Sequence, residues 1–288
     1  MTATSPAVAS LAPPPPARFR LPPGHYRAIG QIKSEWTKLR TVRSTVWTLF
    51  ATVLAVVGIG ALATAVTASH WATAGPEEHF GFDPTARSLA GLFLGQITIG
   101  VLGVLAMSAE YGTGTIRATL SAVPNRPLVL ACKTLVFGVV ALITSEILTF
   151  AAFLLGQDLL KGSTPYATLG QPNVLRAVAG AGLVLAVIGL FALALATIIR
   201  HTAGAISAFV GILLVLPLIV QAFPTSLQHT LIRYMPLVIA EHMVSVTGVG
   251  RDFGSASLFP QWVGFGILCG YTLGLLIVGG ILLVRRDA

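Results

Sequence analysis

The chain has 288 residues, 55% of them hydrophobic and 10% charged, with a net charge of +8. A water-soluble domain carries about 25% charged residues, so a soluble globule is excluded and this much apolar surface needs lipid as its solvent. In a soluble protein such basicity would point to nucleic acid, but no RNA-binding signature, zinc spacing or basic aromatic platform accompanies it, and nucleic acid is set aside as a partner.

Residues 1–25 contain Pro13-Pro14-Pro15-Pro16 and no long apolar core. They read as a disordered, proline-rich cytoplasmic tail with no secretory leader. Residues 26–45 follow and are not a span. Ile29, Ile32, Trp36 and Leu39 recur at helical spacing, with Lys33, Lys38, Arg40 and Arg43 on or beside the remaining face. That pattern predicts an amphipathic helix lying in the membrane interface. Trp36, Leu39, Arg43 and Trp47 are its anchors, the aromatic rings at headgroup depth and the basic groups reaching anionic lipid.

Apolar runs of spanning length then occur at 46–68, 89–107, 130–156, 174–198, 203–222 and 262–284. The expected fold is all-α integral membrane: an N-terminal interfacial amphipathic helix and six transmembrane helices in one membrane domain, 26–288. Only Arg200, His201 and Thr202 part the fourth run from the fifth, so those two helices must be antiparallel neighbours. Thirteen of the eighteen Lys and Arg residues fall on the side of the N-terminus, loop 108–129, Lys133, loop 199–202 and the C-terminus; five fall on the other. The acids lean the other way, three against six, with Glu146 inside a span. The positive-inside rule makes the basic side cytoplasmic and puts both termini there.

Loop 108–129 holds Gly112 and Gly114, which break the second span. Thr115 can cap a short helix ending before Pro124, and Asn125-Arg126-Pro127 turns into the third span. A short helix is thus held between two transmembrane helices, and force on it would tilt both. Gly112-Thr-Gly-Thr is no phosphate loop, because the Gly-Lys-Ser/Thr ending of a P-loop is missing from the chain.

Glu146 lies near the middle of the third span, where an ionisable group is costly. Three roles are open to it: a neutral acid bonding between helices, part of a translocation path with Gln96 and Thr149, or a proton relay. Gly266, Gly270 and Gly274 in the last span, and Gly91 and Gly95 in the second, are four apart and predict close helix packing, within the chain or between two copies. Segment 223–261 is too apolar for a solvated loop and is broken by Pro236, which suggests a re-entrant or surface-lying helix pair. Its His229, Glu241, His242 and Asp252 show no metal spacing. Cys132 and Cys269 both sit in apolar runs and read as free thiols. No nucleophile elbow, His-Glu-x-x-His pattern or cofactor fingerprint is present, so no enzyme is expected in this chain.

Three stretches carry a resemblance: Ser34-Glu-Trp-Thr-Lys-Leu-Arg-Thr-Val-Arg-Ser-Thr45 with Trp47-Thr48, Glu110-Tyr-Gly-Thr-Gly-Thr-Ile-Arg117, and the ending Leu283-Val-Arg-Arg-Asp-Ala288. Together they resemble ABC-2 type permease subunits of actinobacterial ABC transporters, from about residue 26 onward. The resemblance implies a permease of the bacterial plasma membrane that exports a drug, lipid or peptide-like substrate, as in multidrug or antibiotic efflux. It implies a second permease protomer, as a homodimer, and two copies of an ABC ATPase subunit. ATP and magnesium would be held by that ATPase, and this chain would carry no cofactor. Residues 26–45 match the connecting helix and 110–123 the coupling helix, which makes Glu35, Lys38, Arg40, Glu110, Tyr111, Thr115 and Arg117 the candidate coupling residues. Segment 223–261 matches an external re-entrant element. Two other readings stay open: a non-transporting membrane sensor or scaffold, and a proton-coupled secondary transporter using Glu146.

Overall fold

The computed structural model describes residues 28–123, 125–246 and 258–285. The proline-rich stretch 1–25, Pro124, Asp252 and the final Arg286-Asp287-Ala288 of the C-terminal motif lie outside the described residues. Among the described residues every regular element is a helix, and six are long and apolar enough to cross a membrane.

Helix α1 (Ala28–Thr41) comes first. Val42, extended at φ −77°, ψ 119°, separates it from the first long helix, α2 (Arg43–Thr73). The expected helix 26–45 therefore divides, and residues 43–45 belong to the first long helix. Two short helices, α3 (Pro76–Phe80) and α4 (Pro84–Ser88), lead into α5 (Leu92–Gly112). The short α6 (Thr115–Ala122) connects α5 to α7 (Arg126–Leu160). Then come α8 (Val174–Ile199) and α9 (Thr202–Gln221), joined by a tight turn in which Arg200 takes φ +60°. Helices α10 (Thr225–Ile232) and α11 (Pro236–Val244) precede the last helix, α12 (Gln261–Arg285).

The bundle is organised around α8, which packs against α5, α7 and α12. Its run of Ala, Gly, Val and Leu keeps the cylinder thin, so neighbours approach closely. A Cβ added to Gly103 of α5 would lie 2.1 Å from the carbonyl oxygen of Gly189 in α8. Helices α2, α9 and α12 are peripheral and leave large apolar side chains such as Leu62, Leu218 and Ile277 exposed, as lipid contact requires.

Among the described residues two helices carry a π-turn. In α2 it spans Leu54–Gly58, and Gly91 sits against the displaced backbone: its added Cβ would be 2.3 Å from both the Ala55 and Val56 oxygens. In α9 the turn Gly211–Val215 falls just before Pro217, whose ring and missing N–H disturb the ladder at that point. At about 1.5 Å per residue α7 is roughly 52 Å long, well beyond a hydrocarbon core of about 30 Å. Its ends can therefore reach the membrane interfaces.

The segment after α9 forms two helices with different surroundings. Pro236 opens α11 at a position where its missing N–H costs nothing. Leu237, Ile239, Ala240 and Met243 are buried in the main core, where α11 packs on α8 and α12, Val238 packs with Val220 and Ile232 of α9 and α10, and α10 keeps Leu227 exposed. The Arg176 guanidinium caps the end of α11 by donating to the Met243 and Ser245 oxygens at 3.0 and 2.8 Å. Gln157 clamps the loops on the same face, donating to Pro84 O and Ser88 Oγ and accepting from Ala167 N.

Candidate functional site

Four charged side chains meet where α1, the end of α5 and the start of α7 converge. Lys133 Nζ of α7 lies 2.5 Å from Glu35 Oε2 of α1 and 2.7 Å from Glu110 Oε1 of α5. It also donates to the Ala106 carbonyl at 3.3 Å. Lys38 Nζ bridges the same two carboxylates, 2.7 Å from Glu35 and 2.8 Å from Glu110. Gln31 adds a hydrogen bond to Glu35 at 3.0 Å.

Glu35, Glu110 and Lys133 are all less than 7% exposed, while the Lys38 side chain is 34% exposed. Burial on this scale would be costly for any one of these charges alone. The cluster survives because two ammonium groups meet two carboxylates and the sum is zero. Burial pulls the Lys38 ammonium down; its hydrogen bonds to Glu110 and Glu35 and their charge outweigh that and hold it above its ordinary value.

The cluster turns α1 about in an instructive way. Its polar face, Gln31 and Glu35, packs inward against α7, while Ile29 and Trp36 are exposed. Ile29 and Trp36 of the apolar stripe are thus left to the surroundings. Arg40, Arg43 and Trp47 are exposed, and Leu39 packs against the core.

Helix α6 lies next to the cluster along the chain. Thr115, expected as its cap, is its first residue. Gly114 holds the cap position at φ +71°, a left-handed conformation that glycine adopts without strain. The Thr115 hydroxyl instead hydrogen-bonds that of Thr113 at 2.9 Å. Ile116 is buried and pins the helix, whereas Arg117 is exposed. Asn125 caps α7 by accepting from Leu128 N. Of the candidate coupling residues, then, Glu35, Lys38 and Glu110 face one another, and Arg40, Thr115 and Arg117 face outward. Tyr111 is half-buried beneath the Arg200 guanidinium, 5.5 Å from its ring centre.

Two arginines tie the remaining helix ends on this face. Arg126 Nη1 donates to Leu283 O at 2.9 Å, and Arg200 Nη2 donates to Leu282 O at 3.0 Å. Both satisfy carbonyls in the last turn of α12, where the helix dipole favours a cation. Helices α1, α5, α7, α8 and α12 are linked by charge at one end of the bundle.

The residues considered for a translocation path do not converge. Glu146 lies against Gly182 of α8, whose added Cβ would be 2.6 Å from its carboxyl carbon. Thr149 turns its hydroxyl back to the Glu146 carbonyl of its own helix. Gln96 is fully buried elsewhere, with neither amide atom hydrogen-bonded among the described residues. Gly91 and Gly95 are packing positions against α2. Gly266, Gly270 and Gly274 meet nothing within 4 Å among the described residues. Cys132 and Cys269 are free.

Lys133 and Gln31 belong to the cluster but were not singled out from sequence. Lys133 carried a usable signal: it is an ammonium inside an apolar run, and such a charge needs a counter-charge.

These features define a multi-pass, all-α membrane protein with a buried four-charge joint between three of its helices. The family model for the ABC-2 family transporter protein matches residues 31–218, from α1 into α9. The chain belongs to that family and is a transport permease component. Comparison with the curated proteins returns no match.

Proposed function

We propose that this chain is the membrane-spanning subunit of an ATP-driven exporter of the bacterial plasma membrane, working as a homodimer with two copies of a separate ABC ATPase. The observation that carries the reading is the neutral four-charge cluster that joins α1, α5 and α7 beside the exposed helix α6. ATP and magnesium belong to the ATPase; this chain transmits work. The Lys and Arg bias supports a cytoplasmic position for both termini and for α6, within reach of that partner.

In this scheme closure of the ATPases pushes on α6 through Arg117 and its neighbours. Gly112 and Gly114 let α6 pivot, and buried Ile116 keeps it attached. The ion-pair cluster makes α1, α5 and α7 move as one body, so a local push alters the packing of α5 and α7 on α8 and alternates access for a drug, lipid or peptide-like substrate. The test is reconstitution with the cognate ATPase in liposomes. Arg117→Asp is expected to abolish substrate-stimulated hydrolysis and co-purification while leaving thermal stability unchanged; intact stimulation would overturn the reading.

A proton-coupled carrier is the second reading, favoured by Glu146, which has no hydrogen-bond or ion-pair partner among the described residues. It requires the purified chain, without ATPase, to drive uptake under a pH gradient.

A further inference from the structure

On the face opposite the ion-pair cluster, a cavity of about 700 Å³ opens between the end of α2, the start of α5 and the C-terminus of α11. That volume suits a drug-sized molecule. Gln96 lines it, fully buried, with its amide nitrogen and oxygen both lacking hydrogen-bond partners among the described residues. Ser245, 5% exposed, adds a hydroxyl in the same condition. Buried polar groups are rarely left unsatisfied in a native protein. These call for a guest that can both donate and accept.

The walls narrow the chemistry. Trp71 presents an aromatic surface, steadied by ring contacts to His79 at 4.4 Å and Phe82 at 4.6 Å. Three carboxylates, Glu78, Asp83 and Glu241, line the cavity with the guanidinium of Arg87. Asp83 is already engaged, accepting from the Thr85, Ala86 and Val246 N–H groups. Arg87 Nε donates to Thr67 Oγ1 at 2.6 Å. The lining is therefore net acidic, which disfavours a phosphate or carboxylate head and favours an ammonium.

We propose that this cavity is a binding site for a small organic cation that also carries amide or hydroxyl groups. The amide or hydroxyl pairs with Gln96 and Ser245, an apolar or aromatic part lies on Trp71, and the ammonium is drawn by the net negative charge of the wall. The site needs neither ATP nor a partner subunit, so its test is separate from that of the exporter reading.

The experiment is calorimetric titration of the full chain in lipid nanodiscs with the peptide Ala-Phe-Ala-amide, which has a free ammonium, a ring and several amides. Its N-acetylated form serves as the uncharged control. Saturable binding is expected, weakened about tenfold by acetylation and about tenfold by Gln96→Leu, with a smaller loss for Ser245→Ala. Absence of saturable binding at about 1 mM peptide, or equal affinity for the acetylated form, would mean that the cavity holds only water and would overturn the proposal. The peptide pair needs no substitution, so that arm decides the matter even if Gln96→Leu impairs folding.

Discussion

Replacing Lys133 by Met removes the best-buried cation of the cluster and keeps the length of the side chain. Lys38 remains, in contact with both Glu35 and Glu110. Two carboxylates then share one ammonium, and a net negative charge is left in a place where Glu35 is 3% and Glu110 6% exposed. Breaking a buried pair from one side costs about 3–5 kcal/mol. Lys38 is partly in solvent and can move to compensate, so about 3 kcal/mol is expected here. Lys38→Met should cost less, about 1 kcal/mol, because its ion pairs are screened. Adding Glu110→Gln to Lys133→Met restores neutrality, leaving Glu35 with Lys38, and should recover about 2 kcal/mol. The assay is unfolding of the purified chain by titration with a denaturing detergent. A Lys133→Met chain within about 0.5 kcal/mol of the parent, or a double variant no better than the single one, would refute the argument that charge balance holds the three helices together.

Other outcomes follow from the same geometry. Gly103→Ala should lower the thermal midpoint in detergent by the equivalent of about 1–3 kcal/mol, because the new methyl meets the Gly189 carbonyl backbone. Gly270→Ala has nothing within 4 Å to meet among the described residues and should leave the midpoint unchanged. Burial, and then the charge of Arg176, hold His242 below its ordinary value of 6.5. The folded chain therefore resists a proton that the unfolded chain accepts, so stability should fall as pH drops below about 6.5 and on towards the lowered folded value. Midpoints measured across that range should show a shallower acid decline for His242→Gln.

The long helices were plain in the sequence because each is an unbroken apolar run, and membrane insertion leaves little freedom in how such a run is used. Their ends were less plain. Helix α7 runs from Arg126, not from residue 130, because the polar start of the helix lies beyond the run while the Asn125 cap already fixes the turn. The ion-pair cluster was legible only in pieces. Glu35, Lys38 and Glu110 stood out as charges, but their partner Lys133 lies 98 residues from Glu35, and no local pattern records such a meeting. The face of α1 was hidden for a related reason. Amphipathic spacing shows that two faces differ, and here Gln31 and Glu35 turned inward because Lys133 on α7 was there to receive the carboxylate. The stripe Gly266-Gly270-Gly274 shows the opposite limit: its spacing predicts close packing, yet among the described residues nothing lies within 4 Å of a Cβ there.

The central place of α8 bears on how the protein is made. It is the fourth long helix to leave the ribosome, yet α5 and α7, which precede it, find their closest neighbour in it. The first three long helices must therefore wait in the bilayer with glycine-lined faces such as Gly103 turned to lipid. A synthesis arrested near residue 170 would leave those faces uncovered. Completion of α8 is the step at which a set of separate insertions becomes one protein.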